Sequence, residues 1–279
     1  MKYFANIFII LIFLFLYSCS NDKKKIDIIE EEDIELQMID SYKEGIRALE
    51  EGDVLFAAKK FNEAELVYPQ SDWAPKSALM SAYSYYIQDY YGDSIFELNR
   101  FIKTYPKDKR LSYAYFLLAM CYYEQIVDEK KDLGPILKAR EKFNYILENY
   151  PNTDFALDAQ FKLGLINDIS ASKEMYIGKH YVKKKKWIPA INRFKIVVNN
   201  YETTAYVEEA LFRLVEIYYL LGLTDESQKY AKLLGYNYLS SRWYKESYRI
   251  FNKNYESPME KIEKNKRNFI IRKFKAIFD

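Results

Sequence analysis

Five tyrosines recur in this sequence at one fixed distance from a small residue, and this register constrains the fold more than any other feature. Each tyrosine lies eleven positions after an alanine or a serine, with an apolar residue four positions after the small one. The five pairs are Ala57 and Tyr68, Ser94 and Tyr105, Ala139 and Tyr150, Ala190 and Tyr201, and Ser227 and Tyr238. The pattern favours paired helices, because a small residue lets two helices approach closely and a larger one fills the next gap.

The register matches the tetratricopeptide repeat, in which a proline closes the second helix of each pair. The first unit carries the whole pattern, with Ala57, Phe61, Ala64 and Pro69 at the expected offsets. The later units have Pro106, Pro151, Glu202 and Leu239 at the proline position. Gly (8) and Pro (7) are too scarce for the many tight turns of a β sandwich or barrel. The sequence therefore predicts an all-α solenoid of about five stacked helix pairs.

The spacing of the units is uneven, and each irregularity predicts a local feature. Successive small residues lie 37, 45, 51 and 37 positions apart. A polar insertion at 127–135 indicates a long loop in the third unit. The longest interval exceeds 37 by fourteen residues, about four turns at 3.6 residues each, which keeps the buried face in register. We therefore expect one long helix from about Thr153 to Lys184, other helices of roughly 12–16 residues, and a capping helix around Trp243 to Phe251.

The first eighteen residues are typical of a secretory signal peptide, with Lys2 before an apolar run that is too short to cross a bilayer. Leu16, Ser18 and Cys19 resemble a bacterial lipobox, which would make Cys19 the lipid-modified first residue of the mature protein, although Tyr17 departs from the usual small residue. Ser20 follows Cys19 at the position where an aspartate would be the usual signal for retention in the inner membrane, so the resemblance to a lipobox favours the outer membrane. The alternative is a plain leader cut near Ser18. Residues 19–34 then form the lipidated N-terminus and a charged linker.

The remaining chain divides by pattern into three parts. Residues 35–152 hold repeats one to three, 153–257 hold repeats four and five with the cap, and 258–279 form a basic tail with seven Lys and Arg against three Asp and Glu. The tail places Ile270, Phe274, Ile277 and Phe278 at helical spacing. One interpretation is a basic amphipathic helix that touches a membrane surface or an acidic partner. The alternatives are a solvated terminal helix packed on the cap, or simple disorder.

The sequence offers little for catalysis, metal binding or a cofactor. His180 is the single histidine, so neither a Ser-His-Asp triad nor a multi-histidine metal site can form. Cys121 lies in a dense apolar helix and is expected to be a buried, inert thiol. Lys183 to Lys186 fall in a predicted turn, where such runs are usually solvated, and the net charge of +2 gives no sign of nucleic-acid binding. We expect a binding protein without a cofactor, and not an enzyme.

The lipobox, the tether and five irregular repeats together resemble the BamD family, lipoproteins of the outer-membrane β-barrel assembly machinery. The similar stretches include 71–75, 139–143, 178–181, 190–194 and 208–211. The resemblance implies a lipid-anchored scaffold at the outer membrane that faces the periplasm. It further implies that the first repeats bind the C-terminal β-strand signal of unfolded outer-membrane proteins. The last two would dock on the periplasmic domains of the barrel-forming subunit BamA and on accessory lipoproteins.

The repeat register also selects candidate residues for both tasks. The first helices of repeats one to three would line a peptide groove with Tyr42, Ile46, Leu49, Leu79, Tyr83, Tyr86, Phe116, Met120 and Tyr123. These are apolar or aromatic, so the groove would suit an apolar peptide ending in an aromatic residue rather than an acidic one; each could instead be interhelix core. Candidates for partner docking are Arg193, Glu208, Glu209, Arg213 and Tyr218. The competing function is another envelope adaptor that coordinates cell-wall synthesis or division.

Overall fold

The structure is a computed structural model that describes residues 33–126, 134–253, 255–256 and 258–278, and within these ranges it contains helices and turns but no strand. The helices are α1 (Ile34–Glu51), α2 (Val54–Val67), α3 (Ala74–Tyr86), α4 (Tyr91–Thr104), α5 (Leu111–Tyr123), α6 (Gly134–Asn149), α7 (Asp154–Lys183), α8 (Trp187–Asn200), α9 (Val207–Leu220), α10 (Thr224–Asn237), α11 (Arg242–Phe251) and α12 (Pro258–Phe278). The first ten form five consecutive pairs, α11 caps the last pair and α12 is the tail. The predicted all-α solenoid is confirmed.

The leader, Cys19, most of the linker and the polar insertion up to residue 133 lie outside the described residues. The predicted Gly-Pro end of that insertion, Gly134 and Pro135, instead begins α6. Among the described helices, none combines the length and the apolar character needed to cross a membrane.

Within two of the pairs, a glycine of the first helix lies against a phenylalanine of the second. A Cβ added to Gly45 would lie 2.8 Å from Phe61 Cε1, and one added to Gly178 would lie 2.6 Å from Phe194 Cε1. Both rings are completely buried. Repeats one and four therefore depend on the same close approach of two helices, which only a residue without a side chain allows.

The recurrent tyrosines mark the end of the second helix in every pair. Tyr68, Tyr105, Tyr201 and Tyr238 follow the last helical residue with φ between −120° and −138°, and Tyr150 follows the end of α6. These φ values lie outside the helical range, so the chain turns away at each tyrosine. The Tyr105 hydroxyl also donates to Glu65 Oε1 at 2.7 Å and so ties the second repeat to the first.

Two repeats carry serine where the others carry alanine, and both serines are bonded alike. Ser94 Oγ donates to the Ala82 carbonyl at 2.9 Å, and Ser227 Oγ donates to the Val215 carbonyl at 2.8 Å. Both side chains are completely buried. Each hydroxyl therefore bonds to the preceding helix, which avoids the cost of an unpaired polar group in the core.

The long helix α7 has 30 residues, and its bounds fall within one residue of the predicted ends. The lysine run forms its last residue and the exposed turn before α8, where Lys185 has a φ of +55°. The expected lengths of 12–16 residues are correct for α2 to α6 and α8 to α10. They are wrong for α1 (18 residues), α11 (10) and α12 (21), the helices at the two ends of the stack.

The buried core passes through α7 from one half of the stack to the other. Ala159 and Ile166 pack with the core of α5 and α6, whereas Ala171 and Met175 pack with that of α8 to α11. One helix thus contributes to both cores. The division at residues 152 and 153 drawn from the sequence stays a prediction.

Candidate functional site

A groove of about 500 Å³ opens between α3, the start of α5 and the first turn of α7. We call it the α3–α5 groove. Its walls are mainly apolar, with Leu79, Met80 and Tyr83 from α3, Tyr113 from α5 and Phe155 from α7. The Phe155 ring centroid lies 5.4 Å from that of Tyr113, and burial raises the pKa of Tyr113 to about 12. The groove thus offers a neutral aromatic surface large enough for a few side chains of a peptide.

Three cations stand at the end of the groove where α3 and α5 begin: Lys76, Lys109 and Arg110. Arg110 donates to both Asp108 oxygens at 2.8 Å, and this pairing lowers the pKa of Asp108. Lys76 Nζ instead lies 4.3 Å from the ring centroid of Trp73. Within the described residues neither lysine forms a salt bridge, although the charge of Lys109 also acts on the Asp108 carboxylate and helps to lower its pKa. The groove therefore has one end where three cations outnumber the neighbouring carboxylates of Asp108 and Asp72.

All nine predicted groove residues pack in the helix cores or at their edges, and two of them also line this groove. These two are Leu79, which is 5% exposed, and Tyr83. The other seven pack in the cores or at their edges: Tyr42, Ile46 and Leu49 in the first repeat, Tyr86 between the second and third, and Phe116, Met120 and Tyr123 in the third. Tyr42 lies 5.2 Å from Phe61 and 5.1 Å from Trp73, centroid to centroid. A role for any of the nine in binding peptide stays a prediction.

Several lining residues did not come from the sequence pattern. They are Lys76, Met80, Lys109, Arg110, Ser112, Tyr113 and Phe155. The pattern treats Lys109 and Arg110 as loop and assigns Phe155 to the next repeat. The sequence signal that could have indicated them is the basic pair Lys109 and Arg110 directly before the aromatic-rich helix α5.

The docking candidates lie on α8 and α9, and four of them bond to neighbouring helices or along their own. Glu209 accepts from Lys179 Nζ of α7 at 2.9 Å and from Arg213 Nη2 at 3.2 Å. Arg213 also donates to Glu216 at 2.7 Å. Arg193 donates to Glu174 at 3.0 Å, and Glu208 accepts a short hydrogen bond from the Ser241 hydroxyl. These bonds give each charged candidate a structural partner.

Tyr218 is buried rather than displayed. Its exposed fraction is 7%, and its ring stacks on Tyr230 with centroids 5.6 Å apart. Its position on α9 thus serves the contact with α10, and a part in docking stays a prediction.

An exposed apolar surface adjoins these charges at the end of α9. Glu209, Arg213, Glu216 and Leu220 are spaced by four, three and four residues, so they share one face, which we call the α9 stripe. Leu220 is 68% exposed, and Leu223 beyond the turn is 50% exposed. A charged row that ends in exposed leucines has the mixed character of a protein interface. Within the described residues no cluster of three or more His, Cys, Asp or Glu could hold a metal ion.

These features define a class: a helical-repeat protein with a peptide-sized groove across its second to fourth repeats and a charged, partly apolar surface on its fifth. The model of the YfiO family, described as an outer membrane lipoprotein family, matches residues 34–233. A Rickettsia prowazekii protein named outer membrane protein assembly factor BamD is 39% identical over 249 residues, which cover 89% of this chain and 96% of the relative.

Two further relatives carry the same name. The Caulobacter vibrioides protein is 39% identical over 237 residues, or 85% of this chain and 76% of its own length. The Vibrio cholerae protein is 25% identical over 206 residues, which cover 70% of this chain and 86% of the relative. The chain belongs to the BamD family of outer membrane lipoproteins. This confirms the resemblance found in the sequence and places the protein at the outer membrane.

Proposed function

We propose that this protein is a non-catalytic scaffold of outer-membrane β-barrel assembly, anchored by a lipid on Cys19 and facing the periplasm. It binds unfolded outer-membrane proteins through its N-terminal repeats. It binds the periplasmic domains of a BamA-like barrel subunit, with accessory lipoproteins, through its C-terminal repeats. The proposal is supported by family membership along most of the chain together with a separate binding surface in each half.

We assign the binding of unfolded outer-membrane proteins to the α3–α5 groove. Its apolar walls suit an aromatic or aliphatic side chain, and the charges of Lys76 and Lys109 at one end suit a carboxylate. The C-terminus of an unfolded chain that ends in an aromatic residue offers both groups on one residue. The binding set here differs from the purely apolar one expected from the sequence, because the two lysines belong to it.

A pair of peptides tests this assignment. A peptide that ends in phenylalanine with a free carboxylate should bind about tenfold more tightly than the same peptide with a C-terminal amide, because a charge-assisted bond contributes about 1.5–3 kcal/mol. Lys109→Gln should remove most of the preference for the free carboxylate. Lys103→Gln, at an exposed position of α4, should keep that preference. Equal binding of acid and amide by the parent protein would rule out recognition of the carboxylate.

The α9 stripe carries the docking part. Leu220→Asp should weaken capture of the barrel subunit's periplasmic domains at least tenfold, since a charge in an apolar contact costs several kcal/mol. Leu66→Asp is the matched control, because Leu66 is 74% exposed on α2, far along the stack. If both variants bind like the parent protein, the stripe is not the docking surface.

The competing function is an adaptor for cell-wall synthesis or division. Crosslinking in cells followed by capture of the tagged full chain separates the two. A barrel-forming protein as the dominant partner supports assembly, and its absence with wall synthases present would show that the repeats serve the other task.

A further inference from the structure

The tail helix α12 displays basic and apolar side chains together. Every described side chain from residue 261 to 272 is exposed. Phe269, Ile270 and Ile271 are 62%, 56% and 47% exposed, which is unusual for three consecutive large apolar residues. This exposure shows that the stretch is not buried against the cap, although Phe269 has a contact of its own.

Three of the five cations between residues 261 and 272 share one face of α12. Lys261, Lys264 and Arg272 lie three and eight residues apart along the helix, which keeps them within about 80° of one another at 100° per residue. Ile270 is nine residues after Lys261 and therefore points about half a turn away from it. The sequence spacing predicts that positions 274, 277 and 278 continue the face of Ile270. The face opposite Ile270 therefore carries three cations, while Lys266 and Arg267 lie within about 60° of Ile270 and flank the apolar residues.

The balance of charge along α12 selects an anionic counterpart. Residues 258–278 contain seven Lys and Arg against two glutamates. Lys264 is paired with Glu256 at 2.6 Å, which leaves an excess of exposed cations. Such a helix binds in the interface of a bilayer, with its apolar residues among the acyl chains and its cations at anionic headgroups.

A lipid surface fits these residues better than a groove in a folded partner. A helix that docks in a groove presents anchors in one stripe at spacings of three and four. Phe269, Ile270 and Ile271 spread over about 200° of the helix, which a broad interface can accommodate and a narrow groove cannot. Because the family consists of outer membrane lipoproteins, a bilayer lies within reach.

We propose that α12 lies on the anionic phospholipid surface of the membrane that holds the protein and provides a second attachment at the C-terminus. The inference does not depend on the peptide groove or on the docking of a partner.

Fluorescence at position 270 tests the proposal in the full mature chain. Ile270→Cys labelled with an environment-sensitive dye reports the surroundings of the helix, and the parent chain gives the background from other thiols, since Cys121 is buried. The labelled protein is placed in phosphatidylcholine vesicles with or without phosphatidylglycerol. We expect a blue shift only with phosphatidylglycerol, and a loss of that shift in high salt.

Two triple variants with the same change in charge locate the effect. Lys261→Glu, Lys266→Glu and Arg272→Glu together should lower the ratio of membrane-bound to free helix by roughly fivefold for each cation removed, or more. The control variant combines Lys183→Glu at the end of α7 with Lys184→Glu and Lys186→Glu just after it, where all three side chains are exposed. This variant should keep the blue shift. The proposal would be overturned if the emission were equal in both vesicle types, or if the tail variant kept the blue shift. It would also be overturned if the control lost the shift equally, or if position 270 crosslinked in cells to protein alone.

Discussion

Gly178 on α7 faces the ring of Phe194 on α8 with no room for a side chain, since an added Cβ would lie 2.6 Å from Phe194 Cε1. We expect Gly178→Ala to lower the free energy of unfolding by about 1–3 kcal/mol, because overpacking a buried ring outweighs the better helix propensity of alanine. Urea denaturation followed by circular dichroism measures it. Gly164→Ala on the same helix is the control, with no atom within 4 Å of the added Cβ. It should stabilise by up to about 1 kcal/mol, and shifts of the same sign would contradict the contact.

Glu65 joins the first two repeats through a buried carboxylate. It accepts from two Arg100 nitrogens at 2.8 and 2.6 Å and from the Tyr105 hydroxyl. Arg100→Met should lower the free energy of unfolding by about 1–3 kcal/mol, because a buried charge then loses its cation. Adding Glu65→Gln to this variant should recover at least half of the loss in the same denaturation assay. A double variant less stable than the single one would show that the charge is not the cause.

Alkaline pH should destabilise the fold through two partly buried tyrosines, Tyr86 and Tyr113. Burial raises the pKa of Tyr86 and of Tyr113 to about 12, against about 10 in an unfolded chain. The folded state therefore holds these protons more tightly. This stabilisation is complete below pH 10 and is lost as the pH rises toward 12. Melting temperatures measured up to pH 11.5 should fall more steeply for the parent protein than for Tyr86→Phe with Tyr113→Phe. If the melting temperatures of both proteins fell equally with pH, these two tyrosines would not be the cause of the alkaline destabilisation.

Cys121 should be unreactive in the folded protein. Its side chain is completely buried, Ser94 Oγ lies 3.3 Å from its sulfur, and burial raises the pKa of the thiol to about 11. Maleimide at neutral pH should label it only after denaturation in urea, because the thiolate is the reactive form. Rapid labelling of the native protein would mean that α4 and α5 separate readily.

Tyr83 and Tyr123 should respond differently to substitution. Tyr83→Ala should weaken binding of an aromatic-ended peptide, because Tyr83 forms a wall of the groove. Tyr123→Ala should instead lower stability, since its ring lies 6.2 Å from Phe143 and 4.3 Å from Lys162 Nζ. Titration calorimetry and urea denaturation on both variants separate the two effects. The reverse pattern would place the groove one repeat further along.

The helix pairs could be predicted from sequence because their determinants are local. The eleven-residue register ends each second helix at a tyrosine, and an insertion of four turns sets the bounds of α7 without disturbing its buried face. Both signals depend on periodicity along the chain, which a single sequence contains.

The groove could be predicted only in part, because its lining depends on how repeats stack. The repeat offset of Tyr42 equals that of a groove residue, yet Trp73 from the next repeat covers its ring. Conversely, Phe155 reaches the groove from α7 because the long helix begins beside α5. The turn before α5 supplies Lys109 and Arg110, and no periodicity marks a turn.

Helix α7 carries Phe155 in its first turn and Lys179 near its C-terminal end, so it touches the groove at one end and the α9 stripe at the other. Its 30 residues span about 45 Å at 1.5 Å each. The helix therefore fixes both the separation and the relative orientation of the groove and the α9 stripe. One residue inserted at its middle would leave each surface intact but turn one against the other by about 100°. If the proposed function holds, the length of this single helix sets the angle at which the two bound partners face each other.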